Sequence, residues 1–99
     1  MKVDIQLSKE AEQDVLDSFS WYQSAREGLG DEFLEVLESS LNAISENPQA
    51  YSFRYKKLVR AYPINRFPFL ILYVLKEGFV DVISVFHTSQ NPKVWKKRI

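Results

Sequence analysis

The stretch FPFLILYVLKEGFVDVISVF, residues 67 to 86, constrains the fold more than any other part of the chain. β-Branched and aromatic residues fill two blocks, Phe69 to Lys76 and Phe79 to Phe86, and Glu77-Gly78 between them predicts a tight hairpin. With side chains alternating along a strand, Leu70, Leu72 and Val74 point to one face, and Ile71, Tyr73 and Leu75 to the other. Both faces are apolar, so both must be at least partly covered. The longest apolar run, Phe67 to Leu75, contains Pro68 and is about half the length of a membrane-spanning helix, so no membrane association is expected.

The residues that supply the cover lie upstream, where the hydrophobic period changes. Val3, Ile5 and Leu7 alternate with polar residues as in a half-buried strand. Ser8 then suits a helix N-cap, with Glu10 and Glu12 near the positive end of the dipole. Ala11, Val15, Phe19 and Tyr22 form an apolar stripe at spacings of three and four, so a helix is expected to about Arg26. The glycines of EGLGDEF break it. A second helix is expected from about Asp31, with Phe33, Leu34, Leu37, Leu41 and Ile44 inward and Glu32, Glu35 and Glu38 outward, until Asn47-Pro48 stops it. Phe53 to Lys57 and Leu58 to Asn65 are further candidate strands, with Pro63 and Pro68 at strand ends or bulges, and a helical turn is expected near Pro92. The fold class is therefore α+β: an N-terminal strand, an antiparallel helical hairpin packed on a mainly antiparallel meander sheet, and a short C-terminal helical turn. Residues 1–99 are read as a single domain, without repeat or linker.

Composition narrows the chemistry. No cysteine occurs and there is one histidine, so no metal and no cofactor are expected, and the N-terminus lacks the apolar core of a signal peptide. The chain is read as cytoplasmic. Its net charge of zero hides a division: residues 1–53 carry 3 basic and 11 acidic side chains, and residues 54–99 carry 10 basic and 2 acidic, giving −8 and +8. The basic half is suited to attract phosphates or an acidic protein segment, unless the two halves fold side by side and neutralise each other.

Four blocks carry a resemblance: WYQSAREGLGDEFLEVLE at 21–38, AISENPQAY at 43–51, RFPFLILYVL at 66–75 and VISVFHTSQNPKVW at 82–95. In order and spacing they resemble the RelE/ParE superfamily of bacterial type II toxins, and look closest to its ParE-like, plasmid-stabilisation branch. The resemblance implies a growth-inhibiting toxin neutralised by a cognate antitoxin encoded beside it. It also implies one of two activities, inhibition of DNA gyrase by binding or ribosome-dependent cleavage of mRNA, and leaves room for a homodimer. Fold alone does not choose between them. Positions where the ribonucleases of the superfamily place arginines and a tyrosine fall here on Leu70, Thr88, Gln90 and Val94-Trp95. These departures argue against the ribonuclease mechanism and favour a toxin that acts by docking, or a degenerate toxin that only binds its antitoxin.

A different cluster remains for an endoribonuclease alternative. His87, where SVFHTSQNP turns from apolar to polar, would transfer the proton, and Lys56, Lys57, Arg60 and Arg66 would hold phosphate or a partner. In the tail KVWKKR, Lys93, Lys96, Lys97 and Arg98 would bind phosphate or a partner, or form a solvated end. The other reading of His87 is a polar strand end bonded to a loop. Trp21, Tyr22 and Trp95 are able to stack on bases, but are read first as packing groups where the hairpin and tail meet the sheet.

Overall fold

The computed structural model describes residues 2–99. In chain order it contains β1 (Asp4–Leu7), α1 (Lys9–Ala25), α2 (Leu29–Glu46), β2 (Phe53–Tyr55), β3 (Val59–Pro63), β4 (Phe69–Lys76), β5 (Phe79–His87) and α3 (Lys93–Lys96). The strands form one sheet in the order β1-β5-β4-β3-β2. All neighbours are antiparallel except β1, which runs parallel to β5 with Asp4 opposite Phe79 and Leu7 opposite Val82.

Local chemistry explains the boundaries. The Ser8 hydroxyl accepts the Ala11 N–H at 3.0 Å and so caps α1. The helical hairpin turns at Gly28, whose φ of 89° is left-handed, and α2 starts at Leu29, earlier than expected. Gly30 is accepted in its first turn because the helices touch there. A Cβ at Gly30 would lie 2.8 Å from the Phe19 carbonyl and ring and from Gln23 Oε1, which accepts the Gly30 N–H. Close approach, and not helix breaking, accounts for the second glycine.

β2 and β3 are shorter than the sequence suggested. Lys56 and Lys57 have φ values of 53° and 52°, and the Leu58 N–H donates to the Tyr55 carbonyl, so these lysines form the tip of a two-residue hairpin turn. The β4–β5 hairpin turns at Glu77-Gly78 as expected, with φ of 83° at Gly78.

The α1–α2 layer covers one face of the sheet. Phe33, Leu37 and Ile44 pack there on Ile71, Tyr73, Val80, Val82 and Val85 in the main core. Tyr73 is fully buried and donates its hydroxyl to the Pro48 carbonyl at 2.6 Å. On the opposite face Val59, Leu72, Ile83 and Phe86 form a smaller core under Trp95 of α3. A register shift near Leu72 and Tyr73, where Ser84 and Val82 are the respective partners, makes Ile83 an extra residue in β5.

Candidate functional site

The residues singled out from the sequence do not converge on one site. They separate onto the two sides of the sheet, and several basic groups are already engaged by the protein itself.

On the helix side, a cleft of about 410 Å³ lies between α1 and the end of β5. α1 contributes Asp17, Ser18, Trp21 and Tyr22, which share one side because they recur at three and four residues. Phe69, His87, Ser89 and Gln90 close it from the sheet and the following turn. Rings run along it: Trp21 meets Tyr22 edge-on at 5.2 Å, Tyr22 lies tilted to Phe69 at 6.1 Å, and Phe69 meets His87 edge-on at 5.0 Å between centroids. The backbone N–H of Ser89 donates to His87 Nδ1 at 3.1 Å, and Ser89 Oγ lies 2.7 Å from the same atom. Nδ1 is therefore an acceptor, and the neutral ring carries its proton on Nε2. Burial raises the Tyr22 hydroxyl above its ordinary pKa.

Trp21 corrects the packing expectation. It is 66% exposed, whereas Trp95 is 3% exposed and does pack as expected. Trp21 stands one position off the α1 stripe that includes Tyr22, a sequence signal that would have placed it at the edge of the buried face.

Arg98, expected in a phosphate-binding or solvated tail, is mostly buried instead. Its guanidinium forms a fork on the Asp14 carboxylate of α1, at 2.6 and 3.1 Å, and also donates to the Ile83 carbonyl at 3.0 Å. The same carboxylate accepts the Val85 N–H and the Ser84 hydroxyl at the irregular part of β5. Hydrogen bonding to Asp14 is the main reason the Arg98 pKa is raised.

Arg60 and Arg66 are also engaged. Arg60 donates to the Gln49 and Tyr51 carbonyls and stacks over Phe53, 4.0 Å from the ring centroid. Arg66, left-handed at φ 73°, pairs with Glu32, which Arg26 also contacts. The bonds from Arg66 and then Arg26 hold the Glu32 carboxyl below its ordinary pKa.

Lys56 and Lys96 meet on the other side of the sheet. Their Nζ atoms lie 5.1 and 5.0 Å from the Tyr55 ring, which makes an edge contact with Trp95. Lys57, Lys93 and Lys97 are exposed nearby in sequence, as are the apolar residues Leu58 and Val94. The arrangement is an aromatic floor edged by ammonium groups, suited to an acidic surface with some apolar content. His87 packs on Phe69 in the helix-side core, so this lysine pair and the histidine lie on opposite faces.

The charge division of the sequence therefore survives in part. Among the described residues two ion pairs cross between the halves, Arg66 with Glu32 and Arg98 with Asp14, while most carboxylates of α1 and α2 face outward.

Comparisons with known proteins bear on the whole of this framework. No curated protein matches the chain. Among solved structures, a chain from "Chromosomal ParDE TA system from P. aeruginosa" is similar in fold, with a TM-score of 0.75 and 11% identity over 87% of this chain and 96% of that one. Residues 5–92 match the family described as the ParE toxin of the type II toxin-antitoxin system, parDE, so the chain belongs to the ParE toxin family.

Proposed function

We propose that this toxin arrests growth by docking on a cellular target such as DNA gyrase, and that a cognate antitoxin encoded beside it neutralises it in the cytoplasm. The observation that carries this reading is the dispersal of the basic groups. RNA cleavage needs a proton acceptor and cations around one phosphate. Here His87 lies on the helix side, Lys56 and Lys96 lie on the opposite face, and Arg60, Arg66 and Arg98 are bonded to carbonyls or carboxylates. A protein-docking mechanism asks for none of that convergence.

The surface around Tyr55, Trp95, Lys56 and Lys96 fits an acidic, amphipathic antitoxin segment. Its binding should weaken as salt rises. A complex indifferent to salt would remove this assignment and leave the toxin reading in place.

The deciding experiment is inducible expression with and without the antitoxin, with mRNA integrity and DNA breakage read separately. Docking on gyrase gives DNA damage with intact transcripts, and His87→Ala stays toxic. Transcripts cut at ribosome-dependent positions, with toxicity abolished in His87→Ala, would establish the ribonuclease alternative. No toxicity from a folded chain that still binds its antitoxin would make it a degenerate toxin.

A further inference from the structure

The helix-side cleft of about 410 Å³ plays no part in the docking surface around Lys56 and Lys96. We propose that it receives the guanidinium group of an arginine side chain carried by a bound polypeptide.

The first reason is charge. Asp17 is the only formally charged residue among those lining the cleft, and no lysine or arginine lines it. Asp17 Oδ1 accepts from Gln13 Nε2 at 2.8 Å, while Oδ2 has no hydrogen-bond partner among the described residues. One turn earlier Asp14 has the opposite fate, with Arg98 already on it. The cation present at Asp14 has no counterpart at Asp17.

The second reason is shape and surface. Trp21 keeps two-thirds of its area open, on the same side of α1 as Asp17, and with Tyr22 and Phe69 it makes an aromatic wall. An isolated exposed tryptophan needs no explanation, but one beside a carboxylate at the mouth of an aromatic cleft is a cation receptor in both chemistry and geometry. Gln90 also lines the cleft, and its side-chain amide carries an oxygen able to accept a hydrogen bond.

A guanidinium suits these walls better than an ammonium does. It is planar, stacks on aromatic faces, and carries several donors that can reach a carboxylate and an amide oxygen together. The occupant is assigned to a polypeptide because the cleft is open at the surface and no lysine or arginine lines it to receive the carboxylate of a free amino acid.

The test is a titration of the isotope-labelled chain, free of partners, followed by NMR at the Trp21 indole N–H and the Ser89 and Gln90 amides. The probes are N-acetyl-arginine amide, its neutral isostere N-acetyl-citrulline amide, and free arginine. The arginine amide should give saturable shifts confined to the cleft, and the citrulline amide none at the same concentration. Asp17→Asn should weaken binding about three- to fivefold, and Trp21→Leu about two- to fivefold. Both positions are exposed, and an unmoved Trp95 indole signal will show that each variant is folded. Equal binding of citrulline, unchanged binding by Asp17→Asn, or shifts scattered over the surface would overturn the proposal. Tighter binding of free arginine than of the blocked amide would make this a small-molecule site and overturn the assignment to a polypeptide.

Discussion

The two faces of the sheet are covered by unequal means. Two helices of 17 and 18 residues close one face over Phe33, Ile44, Ile71 and Tyr73. A four-residue helix and a single tryptophan close much of the other over Val59, Leu72, Ile83 and Phe86. Burial of this kind stabilises in proportion to apolar area removed from water, so the helical face holds most of the folding free energy. The tail face is the one with exposed Leu58 and Val94 beside ammonium groups. Most of the buried apolar area thus lies on one side of the strands, while the lysines around Tyr55 stand on the other.

A pair of truncations separates the contributions of the two faces. Phe33→Ala leaves a cavity under the helical hairpin and should cost about 3–5 kcal/mol, lowering the denaturation midpoint of the whole chain. Trp95→Ala should cost less, about 1–3 kcal/mol, because α3 can detach while the helical core stays closed. Hydrogen exchange distinguishes them: Trp95→Ala should expose amides of α3 selectively. Equal global losses would show that the two faces form one cooperative core.

Arg98 joins the two layers, since it follows α3 and binds Asp14 on α1. The side chains of Arg98 and Asp14 are 15% and 20% exposed, so removing either leaves a partly buried charge without its partner. Arg98→Ala should cost about 1–3 kcal/mol, and a double-mutant cycle with Asp14→Ala should show strong coupling. Additive losses would mean that the tail is held by Trp95 alone.

The smallest expected effect concerns Tyr73 under the helical face. Burial pushes the Tyr73 hydroxyl from its ordinary 10.0 up to about 12, against the opposing charge of Arg60. The folded state therefore keeps this proton at pH values where the unfolded chain loses it. Its contribution to stability is complete below pH 10 and is lost as pH rises through about 12. Tyr73→Phe should cost about 1 kcal/mol at neutral pH through the lost bond to Pro48, and should flatten the alkaline decline in urea midpoints.

Local elements were legible in the sequence, and distant pairings were not. The helical hairpin, the β4–β5 hairpin and the turn at Pro92 follow from periodicity and turn residues, which are local signals. The parallel pairing of β1 with β5 joins residues about 75 positions apart and has no local signature. The same holds for the site. Alternation pointed to His87 as a strand end, but neither period nor spacing could pair Arg98 with Asp14, 84 residues away. Counting charges by halves located the basic excess without showing which cations were already engaged. Trp21 departs from the packing expectation because an aromatic one step off a buried stripe reads in sequence like its neighbour Tyr22.

The tip of the β2–β3 hairpin has an implication for how the surface can be changed. Lys56 and Lys57 both occupy left-handed backbone, a conformation in which asparagine and glycine are at ease and a long cationic side chain is not. The chain gives up backbone comfort at a turn that places the Lys56 ammonium beside Tyr55 and leaves Lys57 exposed. For an engineer this makes the tip a rare position at which a more relaxed turn and a more neutral surface come from the same replacement, and the two cannot be selected apart.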